Sequence, residues 1–472
     1  MIKYALLLSL HAAFLVPTHA SDLTKSLKEA AGNLSPENCV QSMAAISQLL
    51  DAQKLQNYQD ELKKNDHKII LNKLWSYKIE IHEKLREMHQ DSPLKKDCAD
   101  ATRHAFRSIR YTEDLMSDNY FRVKGDSIKF PDTAFEEGNL HVRRNPKFSE
   151  FHLKNDLKSG DIILSRGNAF TSAAISSLGE FDTQFSHISL VYRDDKNELW
   201  TVEAHIEVGS FVRPIQDHMD DKNFRTMIYR YDDEKLAAEA AKYIFNKVKK
   251  ASDTTGNILY DFGFNQEDSA KLFCSEVVSH AYEHASKGSF KMPLFRSRLL
   301  VRKPEFVRNL EIEAAESFIP ADLEVDPRFS VVAEFRDAAK IQNILEKDAI
   351  LQGMYRWSDE YEYRMVQASS KKSLIYRNVA WPLRRVPILK KYFKEKLPIN
   401  MSRKLIGYFG VLESIGELLQ TELKAADDAS IKAHGFPLTR EEQYQLINEF
   451  REKDLAGKKK LHKMYRPAKK KS

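Results

Sequence analysis

Three residues in the middle of the chain have the types and settings needed for acyl chemistry at a thiol. His187 lies in Phe185-Ser186-His187-Ile188-Ser189-Leu190-Val191-Tyr192, where alternation puts it on one strand face with Ser189 and Val191. Glu203 lies in the next strand-like run, Trp200-Thr201-Val202-Glu203-Ala204-His205, beyond the turn-type stretch Asp194-Asp195-Lys196-Asn197. Cys274 stands at the first turn of a helical pattern in Phe273-Cys274-Ser275-Glu276-Val277-Val278. A cysteine attacks as its thiolate, and a helix N-terminus with a neighbouring imidazolium lowers its pKa. The imidazole then protonates the leaving group and later activates water for deacylation. A polar group on the far ring nitrogen fixes tautomer and orientation. The Cys274 N–H, at a helix start, is a natural oxyanion donor.

Each residue also has a plainer role open to it. Cys274 shares a helix face with Val277, Val278 and Ala281, which suits a small buried hydrophobe. His187 suits a hydrogen-bonded core histidine, and Glu203 and His205 suit solvent-facing strand positions. His187, His205, His218 and Cys274 are ligand types, but no close pair has characteristic metal-binding spacing, so neither a metal nor another cofactor is expected.

An ordered series ties the candidates together. Gly160-Asp161-Ile162-Ile163-Leu164-Ser165, then Phe185 to Val191, then Val202-Glu203-Ala204, then Tyr260-Asp261-Phe262, then Phe273 to Val278 follow one another along the chain. The series resembles the permuted papain-like amidases of the YaeF/YiiX type, within the NlpC-type superfamily. The resemblance implies an α+β fold, with a circularly permuted papain-like core, an antiparallel sheet and a nucleophile helix. It implies the chain order His, acid, Cys, with Cys274 as nucleophile, His187 as acid/base and Glu203 as orienting residue. Related branches use a histidine in the third position, and His205 shares the strand face of Glu203, so His205 stays an alternative. Tyr260 is expected to contact substrate.

The elements that must position these residues are legible in outline. Lys3 followed by a mostly apolar run and Pro17-Thr18-His19-Ala20 reads as a signal peptide over residues 1–20, an apolar stretch short for a membrane anchor. Residues 21–120 read as an α-helical hairpin or bundle and 121–150 as a linker. Residues 151–315 carry short strands and helices of the catalytic domain. Residues 316–457 return to helices, among them Arg336–Tyr355, and 458–472 read as a basic, disordered tail. Cys39 and Cys98 bracket two helical patterns, roughly Val40–Lys64 and Asp66–Met88. An antiparallel hairpin would bring its ends together, so a disulfide and two free buried cysteines are both open.

Composition bounds the rest. The chain has 472 residues, 42% hydrophobic and 30% charged, which excludes a largely disordered protein. Its net charge of +6 is unevenly spread: residues 371–404 carry eleven Lys and Arg against one Glu, interleaved with Trp381, Tyr392 and Phe393. Such a stretch suits contact with an anionic membrane or cell-wall surface, although Pro382, Pro387 and Pro398 argue against one long amphipathic helix. Export makes nucleic acid a poor partner. The expected activity is a periplasmic or secreted cysteine amidase or peptidase acting on an envelope peptide or peptidoglycan. A lipid-directed thioesterase or acyltransferase and a non-catalytic envelope-binding protein are the alternatives.

Overall fold

A computed structural model of the protein describes residues 20–51, 67–89, 93–124, 140–179, 183–221, 223–266, 270–296, 316–384, 386, 388, 400–457 and 460–468. The signal-peptide expectation falls, apart from Ala20, outside these residues, as does the join between the helical patterns expected at Val40–Lys64 and Asp66–Met88.

Four helices open the described chain: α1 (Ala20–Gly32), α2 (Cys39–Asp51), α3 (His67–Met88) and α4 (Lys96–Lys124). Apolar residues at three- and four-residue spacing, such as Met43 and Ile46 of α2, Leu71 and Leu74 of α3, and Phe106 and Ile109 of α4, bury one stripe of each in a shared core. Cys39 and Cys98, at the starts of α2 and α4, form a disulfide with Cα atoms 5.6 Å apart.

The sheet follows. Its strands are β1 (Leu140–Arg144), β2 (Ile162–Arg166), β3 (His187–Arg193), β4 (Leu199–His205), β5 (Gly209–Pro214), β6 (Arg225–Tyr231) and β7 (Phe329–Asp337). They pair in the order β1-β7-β6-β2-β3-β4-β5, antiparallel throughout. Between the strands run α5 (Phe170–Ser176), α6 (Ile215–Met219), α7 (Glu234–Thr254) and α8 (Cys274–Ala285). Helix α7 starts where Asp233 accepts the N–H groups of Lys235 and Leu236, and it buries Ala237, Ala240, Ala241 and Ile244 along one stripe. That stripe and the Val277, Val278 and Ala281 face of α8 cover Ile162, Leu164, Ile188, Leu190 and Val202 of the sheet. The opposite face, with Ile163, Val191, Ile228 and Val332, packs against Phe151 and Leu157.

Buried ion pairs fasten the first four helices to the sheet. Lys78 lies 3.0 Å from Glu334, Arg225 2.5 Å from Asp114 and 2.9 Å from Glu334, and Arg336 3.1 Å from Glu113. Burial alone would raise the Glu334 carboxyl, but the charges of Arg336, Lys78 and Arg225 hold it well below its usual range. Such a network is costly to break because removing one partner strands the others in a dry environment.

Three long helices follow among the described residues: α9 (Ile341–Tyr361), α10 (Arg403–His434) and α11 (Arg440–Gly457). No helix among the described residues is long and apolar enough to cross a membrane.

Three expectations need correction. Residues 121–150 are not all linker, since α4 runs to Lys124 and β1 closes the sheet edge. The sheet also does not end at residue 315. Strand β7 lies in the region expected to be helical, and the helix expected from Arg336 begins at Ile341. Strand β7 is buried on both faces, so it lacks the alternation that marks a one-sided strand. The tail is ordered over part of its length. Lys460–Met464 is helical, and Tyr465–Pro467 pairs with Tyr363–Met365. The buried Tyr465 ring lies 5.1 Å from that of Tyr363, and its hydroxyl donates to the Met354 carbonyl at 2.6 Å. The surrounding lysines concealed this aromatic anchor.

Part of the basic stretch folds back on the protein. Lys372 pairs with Glu413 and Glu417 of α10, and the buried Arg384 donates to the Met401 carbonyl at 3.0 Å. Leu374, Ile375, Val379 and Ile388 are exposed.

Candidate active site

Strands β3 and β4 pair with Leu190 opposite Val202 and Val191 opposite Thr201. The start of β3 therefore meets the end of β4, and His187 shares a sheet face with Thr201, Glu203 and His205. His187 Nε2 lies 2.8 Å from Glu203 Oε2, and His205 Nε2 lies 2.9 Å from the same oxygen. Of the two residues weighed for the third position, Glu203 holds the His187 ring, and His205 holds Glu203. The two rings meet edge to face, with centroids 4.7 Å apart.

Glu203 is fully buried, and its other contacts were not foreseen in the sequence. On β5, Arg213 stands opposite Thr201, and it grips both carboxylate oxygens, with Nε 2.7 Å from Oε1 and Nη2 3.0 Å from Oε2. The Thr201 hydroxyl donates to Oε1 at 2.5 Å. Helix α6, directly after β5, turns the buried His218 back so that Nδ1 lies 2.9 Å from Oε1. The signal for Arg213 was a cation on the strand after an acid, at a spacing that only the hairpin register makes meaningful. Burial would raise the Glu203 carboxyl, yet His218 and the hydrogen bonds from His187, His205 and His218 hold it well below its usual range. Burial lowers His187 to about 4 against the pull of Glu203. For His205 burial also opposes the charged form, but the Glu203 contact prevails and its pKa is raised.

Cys274 begins α8, whose first turn is closed when Glu276 Oε2 accepts the Phe273 N–H at 2.8 Å. Burial pushes the thiol up to about 12, against the backbone N–H of Ile188, the Ser275 hydroxyl, and the N–H groups of Ser275 and Cys274. Ile188 follows His187 directly, so the sulfur sits at the end of β3 that carries the histidine. Tyr260 joins them there. It is buried, and its hydroxyl is raised well above its usual range by burial first and by Cys274 next. Its loop is held against β5 by a close approach at Gly209, with φ +78°, where a Cβ would stand 2.1 Å from the Ile258 carbonyl oxygen. The Ser210 N–H donates to that oxygen at 2.8 Å, and the Leu272 N–H donates to Leu259 at 3.0 Å, linking the loop to the approach to Cys274.

Residues 156–333 match the family of permuted papain-like amidase enzymes, the YaeF/YiiX or C92 family. The matched segment contains His187, Glu203, Tyr260 and Cys274, and the likeness supports a cysteine hydrolase in general terms. No curated protein matches the chain.

Two groups in the amidase segment have the side chains for a cation: His187 with Glu203 and His205, and Glu203 with His218 and Asp221. Both depend on Glu203, whose two oxygens Arg213 already holds. A metal ion there would have to displace a guanidinium from a dry pocket, so the donor set fits an ion-paired carboxylate better than a metal ligand.

Burial favours the neutral form of both groups, pushing the Cys274 thiol up to about 12 and the His187 ring down to about 4, so little thiolate is expected at pH 7. Alkylation of Cys274 by iodoacetamide, followed by intact mass, is expected to be slow at pH 7 and to rise about tenfold per pH unit up to about pH 10. A rate that levels off below pH 7 would instead reveal a preformed thiolate–imidazolium pair.

Proposed function

We propose that the chain is an exported cysteine amidase that cleaves a peptide-type amide in a bacterial envelope substrate, with Cys274, His187 and Glu203 as its catalytic triad. The observation that carries this reading is the 2.8 Å contact between the His187 ring and a buried, ionised Glu203, at the end of β3 where the Cys274 sulfur meets the Ile188 N–H.

The chemistry follows from these positions. Glu203 engages Nε2 of His187, which leaves Nδ1 to accept the thiol proton as the Cys274 sulfur attacks the carbonyl carbon. The electron pair of the C=O bond moves to oxygen, and N–H groups at the start of α8 stabilise it. The imidazolium, stabilised by Glu203, returns its proton to the leaving amine as the C–N bond breaks, leaving a thioester. Water then enters with His187 as base, and hydrolysis releases the carboxylic acid and the free thiol.

Export is supported by the apolar leader read in residues 1–20 and by the Cys39–Cys98 disulfide, a bond suited to an oxidising compartment. The test is digestion of purified peptidoglycan fragments by the full chain and by Cys274→Ala, read by mass spectrometry. New amine and carboxylate termini that appear only with the wild-type chain are expected. No Cys274-dependent cleavage of fragments, alongside Cys274-dependent release of fatty acid from acyl lipids, would move the assignment to a lipid hydrolase.

A further inference from the structure

A small apolar pocket of about 40 Å³ opens beside the loop that carries Tyr260. Three pieces of the amidase segment line it. Ile175 comes from the end of α5 and Leu178 from the turn after it, Ile206 follows His205 directly, and Tyr260 and Phe264 come from the loop before Cys274. The loop links the pocket to the nucleophile at two points. Tyr260 shares a buried core with Cys274 and feels its charge, and the Phe264 ring lies 4.7 Å from that of Phe273, the residue preceding Cys274.

The remaining wall is Leu405 and Phe409 of α10, which lies outside the family-matched residues. Two contacts bring α10 there. At Gly416 a Cβ would stand 2.3 Å from the Phe170 ring, so a side chain there would have to push the ring aside for α10 to pack this closely on α5. Just before α10, Asn400 Nδ2 donates to the Tyr260 carbonyl at 2.7 Å.

We infer that this pocket binds a short aliphatic substituent of the amide substrate, and that α10 forms part of the specificity site. The inference rests on the amidase reading for its substrate and deepens it. The lining offers almost only hydrocarbon, and a buried methylene favours binding by about fourfold. A polar substituent would lose its water there and find few partners. An alkyl acyl chain and an apolar amino-acid side chain both present the chemistry required, and the experiment separates them.

The full-length Cys274→Ala chain, which binds without turnover, is titrated calorimetrically with two pairs of p-nitroanilides: hexanoyl against acetyl, and N-acetyl-leucyl against N-acetyl-glycyl. The longer member of at least one pair is expected to bind more tightly by about tenfold or more. The first pair reports an acyl chain and the second a side chain. Adding Phe409→Trp fills the pocket and should bring that ratio to within about threefold of one, whereas Phe409→Ala should shift preference towards bulkier members. Near-UV circular dichroism shows whether both variants keep the native packing. Ratios below threefold in both pairs would overturn the inference, as would a ratio unchanged in a folded Phe409→Trp chain. Because binding is read without turnover, a failed digestion experiment refutes the amidase reading alone. Cys274-dependent digestion with flat binding ratios refutes the pocket alone.

Discussion

Cys274→Ala is expected to lower amide hydrolysis by at least about 10⁴-fold, with the substrate still bound. In the proposed mechanism the sulfur forms the bond that splits one difficult displacement into two easier ones, and no other free cysteine exists in the chain to replace it, since Cys39 and Cys98 are bonded to each other. His187→Ala should cost about as much, because a thiol pushed up to about 12 supplies almost no thiolate without a base. The double variant should be little worse than either single one, as residues that act as a unit lose their function together. Single-turnover rates on the peptide cleaved by the wild-type chain provide the measurement. More than a few per cent residual activity in either single variant would remove that residue from the mechanism. The pH profile adds a check. With His187 lowered to about 4, activity should rise through about pH 4 as the ring loses its proton, then stay level across neutrality.

The second large effect falls on stability as well as rate. Glu203→Gln keeps an acceptor for the His187 ring but removes the charge that Arg213 and His205 face. An uncompensated guanidinium in this pocket is expected to cost about 3–5 kcal/mol of unfolding free energy at neutral pH, measured by urea denaturation. A loss below about 1 kcal/mol would show that Arg213 finds sufficient compensation elsewhere, Asp221 being its other acid partner. The pH dependence has a definite sign. A carboxyl held below its unfolded-state value contributes stability that is present above that value and is lost as pH falls through the folded one. The gap between wild type and Glu203→Gln should therefore persist at mildly acidic pH and close only well below the usual carboxylate range. Combining Glu203→Gln with Arg213→Met should recover stability without recovering activity, which separates the structural charge pair from the orientation of His187.

The β3–β4 hairpin was legible because alternation and the Asp194–Asn197 turn are local signals, and Asn197 adopts the positive φ of 67° that such a turn requires. The helix behind Cys274 was legible because Val277, Val278 and Ala281 repeat on one face. The hub around Glu203 was not, since it draws Arg213 and His218 from separate elements whose approach depends on sheet register. Strand β7 was obscured for a related reason. Glu334 and Arg336 look like exposed helix residues until α3 and α4 supply Lys78, Glu113 and Asp114 to meet them. Charges that find their partners across hundreds of residues leave no local trace.

Strand β7 also bears on how the chain comes to be folded. It lies between β1 and β6, yet it is synthesised almost two hundred residues after β1 and about a hundred after β6. As the polypeptide emerges, β6 has an open edge until residue 337 is available, and β1 has no partner at all. The family-matched segment stops at residue 333, inside β7, so a fragment cut there keeps every catalytic candidate but leaves its sheet unfinished. The smallest unit able to close this sheet extends from β1 to the end of β7, and its chemistry awaits one of the last strands to arrive.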